Sequence, residues 1–156
     1  MAHIRYVADG EITPERFIAA LTDFSSARPA LWPNLSARIF AVHERGETWA
    51  DVTEGSDVPG LGGVWARERY DWSTPGIVTL TLVESPSFVP GTTIEYRVIP
   101  RAGGGCHVAV DFHRIASSPK GRLVGVLVQL GGSRQFTAQL RTTLARLAAT
   151  GDAPKA

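Results

Sequence analysis

From about Ser36 to Ser117 apolar and polar residues alternate in short runs, most of them closed by glycine, often with proline. Alternation of this kind marks strands with one buried face, so the region predicts six strands. Beyond Ser117 the apolar positions space out to every third or fourth residue, at Leu123, Leu127 and Leu130, then Phe136, Leu140, Leu144 and Leu147. That rhythm predicts a long amphipathic helix opened by Pro119 and running to about Ala149. Gly131-Gly132 interrupts it at a cost of about 2 kcal/mol relative to alanine, which predicts a kink.

Ahead of the six strands, His3-Ile4-Arg5-Tyr6-Val7 alternates and reads as a further, first strand. Thr13-Pro14-Glu15-Arg16 then offers a capping hydroxyl with proline at the first helical position, and Phe17, Ile18 and Leu21 supply an apolar stripe. Pro29 and Pro33 around Ala30-Leu31-Trp32 predict a second brief helix and a turn into the sheet. Connections are expected at Arg45-Gly46, Gly55 to Gly63, Ser73 to Gly76, Ser85 to Gly91 and Arg101 to Gly105.

The hairpin registers test one another, because a slip of one residue sends every side chain to the opposite face. Folding about Arg101 to Gly105 sets Val108, Val110 and Phe112 opposite Val98, Tyr96 and Ile94, and the preceding turn brings in Val78, Leu80 and Leu82. This is one apolar face. Its reverse carries Thr79, Thr81, Thr93, Glu95, Arg97, His107 and Asp111, as a solvated side should. Continuing the register through Ser73 to Gly76 brings Asp71, Arg69 and Arg67 onto the apolar face, and the Gly55 to Gly63 loop adds Asp51 and Trp49.

Asp51, Arg67, Arg69 and Asp71, beside Trp49 and Trp65, therefore form the leading candidate site. Buried charges are costly unless paired, so such a cluster either holds itself together as ion pairs or meets a polar ligand group. An interior guanidinium suits a carboxylate, phenolate or enolate, since its fork offers two parallel donors. A third outcome stays open: a β-bulge in the fourth strand reverses the alternation, puts both arginines in water and leaves Ala66, Tyr70 and Trp72 inside.

Other candidate chemistry is thinner. His107, Asp111 and His113 share one face of one strand, but alternate strand residues stand about 6.6 Å apart and do not converge on one ion. No metal site and no cofactor are expected. Gly-x-Ser-x-Gly, His-Glu-x-x-His and a phosphate loop are all missing, and Gly60-Leu61-Gly62-Gly63 and Gly103-Gly104-Gly105 read as turns.

Composition narrows the classes. At 156 residues the chain suits one domain over 1–150 with a disordered tail at 151–156, burying roughly 70% of its unfolded surface. Cys106 is the only cysteine, which rules out an internal disulfide and fits a reducing cytoplasm. Met1 to Gly10 lack the apolar core of a signal peptide, and no run of about 18 apolar residues occurs. Net charge is +1, yet residues 1–114 hold 10 basic and 14 acidic groups and residues 115–156 hold 6 and 1. A nucleic-acid or anionic-membrane partner is the less favoured reading of that basic end, because Lys120, Arg122, Arg134, Arg141 and Arg146 fit the solvent side of a packed helix.

The order of strand, two short helices, six antiparallel strands and closing helix resembles the helix-grip fold of the START-like (SRPBCC) superfamily, which includes polyketide cyclases, aromatases, lipid-transfer proteins and pollen-allergen-like carriers. The resemblance rests on Thr13-Pro14-Glu15-Arg16-Phe17, Trp32-Pro33, the Trp65 to Trp72 strand, Phe88-Val89-Pro90-Gly91-Thr92 and the Leu140 to Leu147 stripe. It is similar to small bacterial members described as polyketide cyclase or dehydrase related. The resemblance implies an α+β fold, a curved seven-stranded antiparallel sheet wrapped around the long C-terminal helix, with a cavity between them.

In that cavity Leu80, Leu82, Ile94, Tyr96, Val110 and Phe112 are expected as floor, Leu61 and Phe88 as entrance, and Trp49, Trp65, Arg67 and Arg69 as the polar edge. The leading function is binding or transport of a small hydrophobic or aromatic ligand by a cytoplasmic monomer or homodimer, with no nucleic acid and no integral membrane association. The alternative is a cyclase, aromatase or dehydratase in which Arg67 or Arg69 stabilises an enolate and Asp51, Asp71 or Tyr96 moves a proton.

Overall fold

Glycine turns and alternating strands build one antiparallel sheet. The computed structural model describes residues 1–151, so the expected tail lies outside the described residues save for Gly151, which follows the last helix. Strand β1 (Ala2–Gly10) leads to helices α1 (Pro14–Leu21) and α2 (Arg28–Leu31), then to β2 (Phe40–Arg45), β3 (Trp49–Val58), β4 (Gly62–Asp71), β5 (Ile77–Glu84), β6 (Thr93–Pro100) and β7 (Cys106–Arg114). Helix α3 (Pro119–Leu127), a π-helical turn (Val128–Gly132) and helix α4 (Ser133–Thr150) close the chain. The sheet order is β1-β7-β6-β5-β4-β3-β2, so β1 crosses to pair with the last strand. This is the helix-grip arrangement, seven curved antiparallel strands around the C-terminal helices.

Local chemistry sets the helix starts. The Thr13 hydroxyl accepts from the Arg16 amide ahead of Pro14, and the Ser118 hydroxyl accepts from the Gly121 amide ahead of Pro119. Gly121 presses on the backbone of Ser87, where any Cβ would collide, so α3 is seated directly on the β5–β6 connection. The irregularity expected at Gly131-Gly132 is the π turn, in which the helix widens without stopping. Gly132 packs there against Ile4 of β1.

The core fills the end of the grip near α1. Phe17, Leu21, Phe24 and Trp32 pack on Ala50, Val52, Tyr70, Val78 and Leu80 of the sheet and on Leu140, Leu144 and Leu147 of α4. Arg146 donates to the Ala30 carbonyl and Thr143 to that of Leu31, tying α4 to α2.

The register of β6 and β7 is as the sequence predicts, with Val98, Tyr96 and Ile94 facing Val108, Val110 and Phe112. The β3–β4 connection is shorter than the expected Gly55 to Gly63 loop: both strands run on to a three-residue turn closed by Gly60 and Gly62 at positive φ. At the next hairpin, one residue decides the placement of every charge. A four-residue Ser73 to Gly76 turn would set Asp71 opposite Val78, but Asp71 stands opposite Thr79 and Tyr70 opposite Leu80. The Asp71 carboxylate accepts from the amide and hydroxyl of Ser73, which widens the connection into an Asx turn.

The expected interior position of Asp51, Arg67, Arg69 and Asp71 is therefore corrected: with Trp49 and Trp65 they lie on the outer face, and Glu68, Tyr70 and Glu54 point inward. A bulge is present, but on β5, where Val83 is passed over between the Glu68–Leu82 and Arg67–Glu84 pairs.

Candidate functional site

A cavity of about 860 Å³ lies between the concave face of the sheet and the α3–α4 segment. Its apolar walls include Leu80, Ile94, Phe112, Phe88, Val128 and Phe136, and its polar side is made by Arg28, Glu54, Glu68, Tyr70 and Arg114. A volume of this size accommodates a drug-sized molecule, and few convergent polar groups in an apolar wall are what orient one.

The polar side consists of two buried ion pairs on neighbouring strands. Glu54 faces Ala66 across the β3–β4 ladder and Glu68 lies two residues away on the same face, so the two carboxylates are diagonal neighbours. Arg28 reaches Glu54 from α2. Its Nη1 donates to the Leu21 and Asp23 carbonyls at 2.8 and 2.9 Å, and its Nη2 to the Tyr70 hydroxyl at 3.1 Å. Tyr70 in turn donates to Glu54 at 2.5 Å. The Arg28 guanidinium also lies 4.6 Å from the Phe24 ring centroid. Burial works against the Arg28 charge, but Tyr70 and Glu54 outweigh it and hold its pKa above the ordinary value. Burial lifts the Tyr70 phenol well above its own. This set is closed: each partner satisfies the others.

The second pair is open. Arg114, at the end of β7, reaches across the curved sheet to Glu68 through Nη2, while its Nη1 is buried without a partner. Burial pushes the Glu68 carboxyl up to about 7; Arg114 opposes the shift and the nearby Glu54 adds to it. Burial also lowers Arg114, against the pull of Glu68. An acid with a pKa of about 7 gives and takes protons near neutrality, and an unpaired guanidinium nitrogen seeks an oxygen acceptor. Trp32, also in the cavity wall, has a second buried donor, Nε1, without a partner. Tyr6 and Tyr96 complete the wall; burial lifts both phenols, Tyr96 to about 12.

The sequence-predicted residues divide cleanly. Leu80, Ile94, Tyr96, Phe112 and Phe88 line the cavity. Leu82 and Val110, expected in the floor, are buried but do not line the cavity, and Leu61, expected at the entrance, sits half-buried in the β3–β4 turn outside the lining. On the outer face Arg67 makes a bidentate pair with Asp51, both bonds 2.7 Å, which holds the Asp51 carboxyl below its usual range. Arg69 lies 3.8 Å over the Trp49 ring. None of Trp49, Asp51, Trp65, Arg67, Arg69 or Asp71 lines the cavity.

Sequence reasoning missed Arg28, Glu54, Glu68 and Arg114. The signal was there in the alternation of Ala50, Val52 and Glu54, and of Ala66, Glu68 and Tyr70, once Tyr70 is taken as an inward residue. His107 pairs with Asp9 and His3 with Asp111 on the outer face, and Cys106 is buried. Among the described residues no group of three or more His, Cys, Asp or Glu side chains is placed to hold a metal ion.

No family model matches the chain, and no curated protein matches its sequence. Solved structures do share its fold. A protein of Thermus thermophilus is 18% identical with a TM-score of 0.78, covering 96% of this chain and 99% of its own. A START superfamily protein from Mycobacterium smegmatis is 11% identical with a TM-score of 0.76 over 96% of this chain and 99% of its own. The Zhui aromatase/cyclase from Streptomyces sp. R1128 is 15% identical with a TM-score of 0.74 over 97% of this chain and 96% of its own. At these identities the likeness is one of fold, and the fold is START-like.

Proposed function

We propose that the protein binds a small, mostly apolar molecule bearing an anionic or strongly polarised oxygen, held between the sheet and the C-terminal helices. The observation that carries this reading is the open pair. Arg114 keeps a buried, unpartnered donor at an apolar cavity, beside a carboxyl that is half-protonated at about pH 7. When Glu68 takes a proton, Arg114 loses its counter-charge, and a ligand carboxylate, phenolate or enolate replaces it. The closed pair next to it, Arg28 with Glu54 and Tyr70, fixes the cavity wall and asks nothing of a ligand.

Native mass spectrometry of freshly purified protein, with a thermal-shift screen of aromatic and polyketide-like acids, tests the reading. A ligand present at a hundred times its Kd stabilises by about 2.7 kcal/mol, which a melting curve resolves. We expect that stabilisation to be lost in Arg114→Gln and kept in Arg69→Ala. A screen with no binder and no co-purified mass sinks the proposal.

A second reading has its own observation. The pKa of about 7 at Glu68 suits a general acid and base, and Arg114 is placed to stabilise an enolate, as a cyclase or dehydratase requires. An aromatase/cyclase stands among the structures of the same fold. Turnover of a polyketide-like substrate that Glu68→Gln abolishes, with binding retained, favours the enzyme; binding without conversion at any pH from 5 to 9, roughly the range over which such a carboxyl titrates, leaves the carrier.

A further inference from the structure

The cavity has a second polar place, and it carries no charge. Tyr6 of β1 and Tyr96 of β6 both stand opposite Val110 of β7, so the two side chains approach each other over one residue of the concave face. Both line the cavity and keep part of their surface open while Val110 between them is covered, so the open part faces the cavity. Among the described residues the hydrogen-bonding neighbour of either phenol is the other. A phenol has a single O–H, so a bond between the two occupies one donor and leaves the second without a protein acceptor. In a filled cavity that O–H either takes an oxygen from the ligand or is left bare, and a bare buried donor costs more than a made bond gains.

The strand register measures how far this place lies from Arg114. Val110 precedes Arg114 by four residues on β7, and on β5 Val78, which faces Tyr96, precedes Leu82, which faces Glu68, by four. Both ladders separate the tyrosines from the Glu68–Arg114 pair by about 13 Å at the backbone, at the ordinary strand rise. The side chains close part of that distance, since the Glu68 charge is felt at the Tyr96 phenol. Between the two places runs an aromatic wall. Phe112 stands midway between Val110 and Arg114, and the Phe136 ring of α4 lies 5.6 Å from it and 5.7 Å from Tyr6, tilted by 39° to both. Aromatic rings attract at such spacings and tilts, so a ring of the ligand extends the series.

We propose that the ligand is an elongated aromatic acid with a second oxygen at its far end: the acid oxygen at Arg114, the rings along Phe112 and Phe136, and the far carbonyl or hydroxyl oxygen at the Tyr6–Tyr96 pair. This assignment rests on Arg114 holding an anionic oxygen, as proposed above, and adds the length of the molecule and the chemistry of its other end. A simple fatty acid satisfies one of the two places and leaves the other bare.

Isothermal titration of the full chain with two rigid acids of one shape tests it. Both are biphenyl carboxylates, one with an acetyl and one with an isopropenyl group at the far para position, so that a carbonyl oxygen is exchanged for a methylene. The acetyl acid should bind roughly tenfold tighter, because the isopropenyl group leaves the tyrosine O–H bare. Tyr6→Phe/Tyr96→Phe should abolish that preference by weakening the acetyl acid, while Arg114→Gln should weaken both acids and leave the preference in place. Phenylalanine keeps the rings that pack on Phe136 and Phe17, and the comparison of the two acids on the wild-type chain needs no variant at all. Equal affinity of the wild-type chain for the two acids, or a preference that survives the double variant, would overturn the assignment; binding of both acids that Arg114→Gln weakens would then leave the anion site standing. If neither acid binds, the anion site falls and the assignment falls with it.

Discussion

Strands β3 and β4 carry charges on both faces, and the two faces treat them differently. Outside, Arg67 grips Asp51 and Arg69 lies over Trp49, all within reach of water, and Asp71 shapes the following turn. Inside, Glu54 and Glu68 sit with Arg28, Arg114 and Tyr70 in a buried layer. Exposed pairs contribute little because water screens them, whereas a buried charge must be matched nearly atom for atom. The outer cluster is thus the conspicuous one in the sequence and the inner one the consequential one in the fold. Within the inner layer, a closed pair built on Glu54 of β3 stands beside an open pair built on Glu68 of β4.

The closed pair should break hardest. Arg28→Met removes four donated hydrogen bonds and strands Glu54 in the interior, and breaking a buried pair from one side costs about 3–5 kcal/mol. Urea unfolding would show a lower midpoint at unchanged slope. A loss below about 1 kcal/mol would mean that water reaches Glu54 and that the closed set is not closed.

Glu68→Gln separates the open pair from the closed one by pH. Its folded pKa of about 7 stands above the ordinary 4.5. The native state therefore holds a proton that the unfolded chain releases first. The resulting stability is fully present below about pH 4.5 and is lost as pH rises through about 7, with a slope of at most about 1.4 kcal/mol per pH unit. Glu68→Gln should flatten that slope and leave the protein relatively more stable above neutrality. A slope that survives the substitution would assign the titration to another group.

How the sequence foreshadows this layer depends on which strand is asked. In β6 and β7 glycine-rich turns and nearly all-apolar inner faces leave one register, and alternation alone places Ile94, Tyr96 and Phe112 on the inner face. In β4 both phases of Trp65 to Trp72 contain aromatics and charges, so hydrophobicity does not choose between them. The choice was made by the Asx turn at Asp71 and Ser73, which adds one residue to the hairpin. Arg28 was hidden for another reason: it lies in a four-residue helix too short to show a periodicity, and its partner is 26 residues away. Arg114 reads as the polar end of a strand until curvature carries it over Glu68.

The smallest effect sharpens the contrast from the outside. Arg69 offers its guanidinium to the Trp49 ring at 3.8 Å in an exposed setting, where such a contact contributes about 0.5–1 kcal/mol. Arg69→Ala should lower stability by no more than that, leave the pH slope of Glu68 in place and leave ligand stabilisation intact. The side chain cannot reach the cavity, because Arg69 pairs with Asp51 and Thr81 on the outer face while its neighbours Glu68 and Tyr70 point in. If ligand stabilisation fell in Arg69→Ala as far as in Arg114→Gln, the register that separates the two faces would be wrong by one residue, and the outer cluster would be the site.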